Sequence, residues 1–483
     1  MGRNMKYSKT QLINILKSVG KDHVSKKDID KNPTIDCGSM TIIRYFGSWK
    51  NALEEAGLKP GKITGRKRKI IVKSKIVKPN LMDRKKLWVG PIDFPKTDNI
   101  KNDPKTTYAN DIIIWKGHEL TRKYLRSIDE DVRDEIAKDL LNFFMEFDFI
   151  GDFKYREEEL ETAKKVLDKN LATISEEDGV KYVKNTGAAG YKLYRHYFPN
   201  LMKVGGKNRR SIFESLSNKA LLWSIIRNRT GNTLLYGGEY NKDIGYCQFP
   251  MPLSFSQIII GSKNSGLGAM GSVFKPSVAK AIYCKYAKDG DKVLDYSCGF
   301  GTRLLGLMSS GLKDVKYCGY EPNTETYDNL NKLIEDFDFD ADIKCCGSEE
   351  DNLFDEKFDF VFSSPPYFDA EVYCDEENQS INRFPKYESW LEGYWKQTVK
   401  NIKKMMKDDG VFGINIGGNA NETMIKLERD LNKIISEEGF ELIDTIYMKT
   451  GKSHLSGKKG DPDKKFKLEG IFFYKRSIRN GSE

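Results

Sequence analysis

A chain of 483 residues is too long for one hydrophobic core, so we expect about three folded units. Hydrophobic residues make up 39% of the chain, which excludes wholesale disorder. No apolar run approaches the roughly 18 residues of a membrane span, and the N-terminus lacks a signal segment, so we expect a cytoplasmic protein with no membrane partner. The eight cysteines form no C-x-x-C pair and only four histidines occur, so no metal site is expected. The formal charge of +10 indicates a polyanionic partner.

Residues 1–58 have the pattern of a small helical module. Ser8 and Gln11 have the spacing of a capping box, and the last helix stops at Gly57. Between residues 25 and 46, two short helices separated by a turn indicate a helix-turn-helix. The second of these helices would contribute apolar residues to the core: Met40, Ile42, Ile43 and Phe46. The same helix would present polar residues to a DNA groove: Ser39, Thr41 and Arg44.

A basic, loop-rich linker is expected over residues 59–110. Its first part, residues 59–80, contains nine Lys or Arg residues and no acidic residue. The densest run in this part consists of Arg66, Lys67, Arg68 and Lys69. Such a segment is typical of chains that follow a phosphate backbone, although a solvated linker without a partner would have the same composition.

The stretch Tyr45–Leu58, YFGSWKNALEEAGL, resembles the end of the repeat found beside homing endonucleases. The resemblance covers about residues 6–60. In that family the repeat is a DNA-binding accessory. The resemblance therefore implies that this module contacts double-stranded DNA and has no catalytic role.

Residues 111–260 are expected to be mostly helical. The strongest helical periodicity runs from Ile128 to Phe149 and from Glu157 to Leu171. A basic patch follows, formed by Lys203, Lys207, Arg209 and Arg210. The pattern leaves the role of this region open between target recognition, a scaffold for the next domain, and an interaction surface.

Residues 261–476 alternate strands with helices, ahead of a short tail at 477–483. The predicted strands are KVLDY, KYCGY, DIKCC, FDFVF, GVFGINIG, ELIDTIYM and EGIFFYK. Repeated βα units predict an α/β fold of Rossmann-like type, a doubly wound and mostly parallel sheet that ends in an antiparallel pair. Ligands of such sheets bind at the carboxyl ends of the strands.

The segment Val293–Thr302, VLDYSCGFGT, leads from a strand through a glycine turn into a helix. Gly299 and Gly301 remove side chains where the backbone must approach a ligand, and no P-loop lysine follows. Asp295 at the strand end suits the ammonium of the methionine moiety of S-adenosylmethionine. Glu321 lies one βα unit later, where an acid would accept both ribose hydroxyls. Together the two acids predict an S-adenosylmethionine site.

The strand FDFVF runs into Ser364, Pro365, Pro366 and Tyr367. An exocyclic amine of adenine or cytosine is a poor nucleophile because its lone pair is delocalised into the ring. The Ser364 side chain and the Pro365 carbonyl would accept the two amino hydrogens, while Tyr367 would stack on a base extruded from the duplex. We therefore expect these residues to carry catalysis without a covalent intermediate or a metal.

Together these segments resemble the amino-methyltransferases of DNA over about residues 270–476. The resemblance implies a cofactor motif made of Asp295, Cys298, Gly299, Gly301 and Thr302 and a catalytic motif made of Ser364 to Tyr367. It also implies an upstream cofactor motif with Phe274 and Pro276. The sequence departs from the family at Ser297, and at Ser348, where an acid often binds the cofactor adenine and Glu349 would substitute.

The residues leave several alternatives open. Similar Pro-Pro-Tyr sites serve RNA or a protein glutamine as substrate, and a DNA-binding protein without catalysis is a further interpretation of the N-terminal repeat. Serine before Pro-Pro slightly favours cytosine N4 over adenine N6 as the target. The recognition sequence, a companion restriction nuclease and the oligomeric state are not determined by the sequence.

Overall fold

The computed structural model describes a defined part of the chain. The described residues are 7–20, 23–24, 29, 35, 37, 42, 46, 49–60, 91–93, 108–151, 153–170, 172–184, 186–206, 209–231, 240–241, 246–247, 252–268, 271–417, 422–450 and 467–477. The chain divides into two compact units, Met1–Asp83 and Arg84–Glu483. The residues expected to contact DNA in the first unit lie outside the described residues: Ser39, Thr41, Arg44, Arg66, Lys67, Arg68 and Lys69.

The first unit contains two of the helices that the sequence predicts, one near the start of residues 1–58 and one near their end. Helix α1 (Lys9–Ser18) begins with the expected capping box, in which Gln11 N donates to Ser8 Oγ at 3.3 Å and Ser8 N donates to Gln11 Oε1 at 2.7 Å. Helix α2 (Trp49–Glu55) ends before Gly57, whose φ of +71° favours glycine. Short strands β1 (His23–Val24) and β2 (Lys59–Pro60) pair in parallel. The buried core includes Leu12, Leu16, Ile42, Phe46 and Leu53.

The second unit is built on a nine-stranded mixed sheet. Its strands are β6 (Thr173–Glu177), β7 (Val180–Lys184), β10 (Lys292–Asp295), β11 (Lys316–Tyr320), β12 (Ala341–Lys344), β13 (Phe358–Ser363), β14 (Met406–Ile416), β15 (Phe440–Thr450) and β16 (Lys467–Arg476). Their order across the sheet is β12-β11-β10-β13-β14-β16-β15-β7-β6. The first five strands in this order are parallel, and β16 runs antiparallel to both β14 and β15. The predicted α/β architecture with its antiparallel end is confirmed.

Other short strands of this unit lie outside the large sheet. Strands β3 (Ile92–Asp93), β4 (Ile114–Trp115) and β5 (His118–Glu119) form a three-stranded sheet, and β8 (Tyr240–Asn241) pairs with β9 (Tyr246–Cys247). The α-helices of this unit are α3 (Arg122–Ser127), α4 (Glu130–Met145), α5 (Glu157–Asp168), α6 (Tyr191–Tyr197), α7 (Ile212–Leu216), α8 (Lys219–Thr230), α9 (Phe255–Asn264), α10 (Pro276–Tyr286), α11 (Thr302–Met308), α12 (Thr324–Phe337), α13 (Ser380–Arg383), α14 (Tyr387–Trp390), α15 (Gln397–Met405) and α16 (Glu422–Glu437). A 3-10 helix spans Pro199–Lys203 and a π-helix spans Leu391–Lys396. No helix among the described residues is both long and apolar enough to cross a bilayer.

Alternating side chains of the strands enter two different cores. Val293 of β10 packs in a core shared with α6, α10, α11 and α12, while the next residue, Leu294, packs in a core shared with α15 and α16. Successive side chains of a strand point to opposite faces, so helices cover both faces of the sheet. This double cover leaves the strand ends as the accessible part of the sheet.

The region expected to be mostly helical also contributes to this sheet. Helices α4 and α5 lie within the stretches where the sequence predicts them, and α4, α8 and α9 contribute to a separate core. Hairpin β6–β7 is not predicted by the sequence, and β7 pairs in parallel with β15, Tyr182 facing Tyr447. Hairpin β6–β7 therefore extends the sheet, and residues 111–260 lie in the same compact unit as the sheet.

Candidate active site

The carboxyl ends of β10, β11 and β13 open into one cavity of about 320 Å³. Its walls include most of the residues predicted from the motifs: Phe274, Cys298, Gly299, Thr302, Glu321, Ser348, Glu349, Ser364, Pro365, Pro366 and Tyr367. Parallel neighbouring strands bring their carboxyl ends to the same edge of a sheet, so distant motifs meet there. The sequence thus identified much of the wall of this cavity.

The glycine turn after β10 has the backbone conformation that its glycines allow. Gly299 and Gly301 have φ of +55° and +63°, a region that other residues rarely adopt. A Cβ added at Gly299 would meet only Ser297 O, at 3.9 Å, so its Cα faces open space in the cavity. The amide of Gly299 donates to Glu321 Oε2 at 2.7 Å. The turn therefore presents bare backbone to a ligand.

Asp295 was expected to bind the cofactor ammonium, but the structure gives it a different position. It is fully buried and does not line the cavity. Its carboxylate accepts from Arg303 Nε at 2.7 Å and from Arg303 Nη2 at 3.2 Å. It also accepts from the Tyr317 hydroxyl at 2.7 Å, from Ser363 Oγ at 2.6 Å and from the amide of Ser297 at 3.1 Å. Both oxygens are occupied by protein donors, so Asp295 joins β10, β11, β13 and α11 and leaves no acceptor for a ligand.

Two other predicted cofactor residues also lie behind the wall. Pro276 opens α10 and is buried against Gly190, where an added Cβ would lie 3.2 Å from the proline ring. Gly301 packs on Phe198, whose ring lies 2.9 Å from the position of an added Cβ. Neither residue lines the cavity. Both shape the loops beside the cavity, and the prediction that they contact the cofactor does not match this geometry.

Glu321 is the buried acid that faces the cavity from the end of β11. Its carboxylate accepts from the amides of Gly299 at 2.7 Å and Asn323 at 2.9 Å. Burial raises the pKa of Glu321 to about 7, against the lowering effect of these two hydrogen bonds. The group is positioned to accept hydrogen bonds from a ligand hydroxyl at neutral pH.

A second polar wall lies after β12. Glu349 is buried and accepts from Arg383 Nη1 at 2.8 Å through Oε1, while Oε2 has no hydrogen-bond partner among the described residues. Burial raises the pKa of Glu349 to about 7. Ser348 Oγ lies 3.0 Å from Thr398 Oγ1, and Tyr394 of the π-helix lines the same wall. This buried oxygen is available to a donor from a ligand, a water molecule or an ion.

The loop after β13 carries the predicted catalytic residues. Ser364 Oγ lies 3.3 Å from the Tyr367 hydroxyl. The Tyr367 ring is half-buried and lies against Gly417, where an added Cβ would come within 2.9 Å of it. Phe368 has a φ of +52°, which is rare for an aromatic residue and typical of strained loops at functional sites. The chain therefore turns sharply after the Ser-Pro-Pro-Tyr motif, with Tyr367 at the cavity wall.

Several wall residues were missed by the sequence motifs. They come from other parts of the chain and include Thr186, Lys275, Glu371, Tyr373, Asn415 and Glu469. Lys275 Nζ donates to Thr186 Oγ1 at 2.9 Å, which brings the exit of hairpin β6–β7 to the cavity. Lys275 directly follows Phe274, which the sequence predicts at the cofactor site. The sequence therefore indicates that Lys275 lies near the cavity. The other residues have no such indication, because their strands and loops carry no motif.

Comparison with protein families gives two matches in this chain. Residues 358–477 match the family model described as DNA methylase, and residues 7–59 match the homing endonuclease associated repeat. The DNA methylase segment begins with β13 and includes the Ser-Pro-Pro-Tyr loop. No curated protein is matched by the sequence.

Solved structures resemble parts of the chain at low identity. TrmN from Thermus thermophilus has 12% identity and a TM-score of 0.29, covering 42% of this chain and 48% of that chain. A TehB-like SAM-dependent methyltransferase from Corynebacterium glutamicum has 15% identity and a TM-score of 0.28, covering 43% and 90%. A methyltransferase from Pyrococcus furiosus has 16% identity and a TM-score of 0.29, covering 42% and 84%. At TM-scores this low, these likenesses say nothing about site or substrate.

The two family matches fall on the segments whose motifs resemble the same two families. S-adenosylmethionine is the methyl donor of the DNA methylase family. The chain thus contains a segment at 358–477 that is similar to the DNA methylase family and a segment at 7–59 that is similar to the homing endonuclease associated repeat, the two families that the sequence motifs resemble.

Proposed function

We propose that this protein transfers a methyl group from S-adenosylmethionine to the exocyclic amino group of a base in double-stranded DNA. The target is cytosine N4 or adenine N6, with cytosine as the first candidate because serine precedes the two prolines. The observation that carries the proposal is the shared cavity, in which Ser364 and Tyr367 face the same space as Gly299 and Glu321. The residues proposed to activate the amine and those proposed to bind the cofactor thus line the same cavity.

The cavity residues fit S-adenosylmethionine. The carboxylate of Glu321 can accept from the ribose hydroxyls, and the bare backbone at Gly299 admits the methionine tail. The free Oε2 of Glu349 can accept from the amino group of the adenine ring. Asp295 keeps no free acceptor, so we assign it to holding the loops and leave the ammonium to other groups on the wall. When bound, the cofactor supplies an electrophilic methyl group.

The side of the cavity at the end of β13 would activate the amine. The Ser364 side chain and the Pro365 carbonyl would accept the two amino hydrogens and turn the nitrogen lone pair out of conjugation with the ring. Fixed acceptors cost no reorganisation during the reaction, which is why such preorganisation lowers barriers. The same two acceptors would hold the nitrogen at the position from which it attacks the methyl group.

A base can reach this cavity only outside the helical stack. Ser364 and Tyr367 stand inside a recess, and a base within a duplex cannot enter one. The half-buried ring of Tyr367 offers a face for stacking on the extruded base, which would offset part of the stacking energy that the base gives up in the duplex. The proposal therefore includes base flipping.

The test is the modified nucleoside itself. DNA from cells that express the protein is digested and analysed by mass spectrometry, next to DNA from cells that express the Ser364→Ala variant. We expect N4-methylcytosine or N6-methyladenine with the wild-type protein and a loss of that nucleoside with the variant. Unmodified DNA, together with methyl transfer to RNA or protein by the purified chain, would contradict the proposal.

A further inference from the structure

Lys275 lines the cavity beside the Ser-Pro-Pro-Tyr loop. It immediately precedes α10 and follows Phe274, whose ring packs edge to face against Phe362 of β13 with the ring centres 5.4 Å apart. Phe362 stands two residues before Ser364, the first residue of the loop. Lys275 and the predicted catalytic loop are therefore attached to the same part of β13 and face the same cavity.

The Lys275 ammonium has more donors than the protein uses. An ammonium group has three N–H donors and no acceptor. Lys275 Nζ donates to Thr186 Oγ1 at 2.9 Å, and it makes no other hydrogen bond and no ion pair among the described residues. Two N–H groups of this partly buried side chain are therefore available to a ligand in the cavity.

Two carboxyl groups lie at this end of the cavity, which favours a neutral ligand group over an anionic one. Burial lowers the pKa of Lys275, and the nearby charge of Glu469 acts against this lowering. Burial raises the pKa of Tyr367, and the charges of Glu469 and Glu371 raise it further. A carboxylate or phosphate placed against Lys275 would also lie near these two glutamates, and like charges repel. A neutral acceptor can use the two N–H groups without that repulsion.

Cytosine and adenine differ in the acceptors that lie beside their amino group. An extruded base is recognised along its Watson–Crick edge. In cytosine this edge carries the amino group, the ring nitrogen N3 and the carbonyl oxygen O2, so two neighbouring acceptors follow the amino group. In adenine it carries the amino group, the ring nitrogen N1 and a C–H group, so only one acceptor follows. Two N–H donors on one nitrogen match the pattern of cytosine, whereas one of them would have no acceptor on adenine.

We propose that Lys275 selects cytosine as the target base by donating its two remaining N–H groups to N3 and O2 of the extruded ring. The inference rests on the proposed function and decides between its two target bases. Ser364 and Pro365 would accept the amino hydrogens at one end of the edge, while Lys275 donates at the other end. Buried polar groups that are left unpaired are costly, so a site that pairs the whole edge of cytosine discriminates against adenine.

The experiment uses the full-length chain, S-adenosylmethionine with a tritiated methyl group, and genomic DNA that carries no methylated base. Incorporation of tritium gives kcat/KM, and mass spectrometry of the digested DNA identifies the methylated nucleoside. The wild-type protein should form N4-methylcytosine and no N6-methyladenine. Lys275→Met keeps the length of the side chain but removes its donors. This variant should lower kcat/KM by about tenfold to a hundredfold, as expected for losing hydrogen bonds from a charged group.

Lys280, in the same helix, provides the matched control. Its Nζ donates to the backbone carbonyls of Leu167, at 3.1 Å, and Asp168, and the residue does not line the cavity. Lys280→Met should therefore keep kcat/KM within a few-fold of wild type. The affinity for S-adenosylmethionine, measured by calorimetry, should be unchanged in both variants, because the proposed ligand of Lys275 is the base. The urea midpoint of Lys275→Met should not fall, since the variant removes a partly buried charge that has no ion pair among the described residues.

Four results would overturn the inference. N6-methyladenine as the product of the wild-type protein would exclude selection of cytosine, whatever the variants do. Equal activity of Lys275→Met and Lys280→Met would show that the two donors of Lys275 are not used. A loss of S-adenosylmethionine affinity in Lys275→Met as large as its loss in kcat/KM would assign the lysine to the cofactor carboxylate. A lower urea midpoint in Lys275→Met would make the contact with Thr186 the main role of the lysine.

Failure of the proposed function looks different from each of these results. The wild-type protein would then transfer no methyl group to DNA, and neither methylated nucleoside would be found. In that case both proposals are wrong.

Discussion

The position of Asp295 gives a sharp prediction about stability. Asp295→Asn keeps the shape of the side chain but leaves the Arg303 guanidinium, only 6% exposed, without its counter-charge. Breaking a buried ion pair by removing one partner costs about 3–5 kcal/mol, because the remaining charge is uncompensated. We therefore expect Asp295→Asn to lower the free energy of unfolding by about that amount.

The partner side chain provides the matched control. In the double variant Asp295→Asn/Arg303→Met no charge is left unpaired, and the amide oxygen can still accept from one of the two hydroxyls, Tyr317 or Ser363, which donate to different oxygens of Asp295. The loss in free energy of unfolding should be smaller in the double variant than the sum of the losses in the two single variants. For residues in direct contact, this difference is about 0.5–3 kcal/mol. The free energies of unfolding of the two single variants and of the double variant are measured by urea unfolding, followed by tryptophan fluorescence.

Binding of S-adenosylmethionine, measured by calorimetry, separates the two interpretations of Asp295. If the residue holds the loops together, Asp295→Asn loses stability, and the double variant regains both stability and cofactor binding. If the residue contacts the ammonium directly, Asp295→Asn keeps its stability and loses affinity, and Arg303→Met does not restore it. The second pattern would refute the structural reasoning.

Three further predictions concern the cofactor, the catalytic loop and the N-terminal unit. Because burial raises the pKa of Glu321 to about 7, and a ribose hydroxyl binds the ionised form, S-adenosylmethionine affinity should be full above that pH. The affinity should fall by up to about tenfold for each pH unit below that pKa. For Glu321→Gln, the affinity measured by calorimetry should not change with pH. Tyr367→Ala should keep cofactor affinity while turnover drops by orders of magnitude, and equal losses of both would contradict its assignment to the target base. A chain starting at Arg84 should bind labelled duplex more weakly, with a flatter salt dependence by fluorescence anisotropy, because each phosphate that is no longer neutralised removes about 0.9 from the slope. Slopes indistinguishable from the full chain would assign DNA binding to the second unit.

Local patterns in the sequence determined much of the architecture. Alternating apolar strands and capped helices predict the α/β sheet, and the glycine turn and the Ser-Pro-Pro-Tyr loop each follow a predicted strand. Because parallel strands end at one edge, these two segments meet without any further information from the fold. Glycine at positions 299 and 301 likewise fits a local requirement, the positive φ of the turn.

Only the tertiary structure decided what individual side chains contact. Asp295 looks like a ligand in the motif, yet Arg303, Tyr317 and Ser363 come from three other elements and occupy its oxygens. Hairpin β6–β7 has no local signal for joining β15, and Glu469 lines the same cavity as Tyr367 although the two residues are far apart in the chain. Hydrogen-bond partners and burial are properties of the packed structure, so a motif specifies which residue is present, and packing determines what that residue can bind.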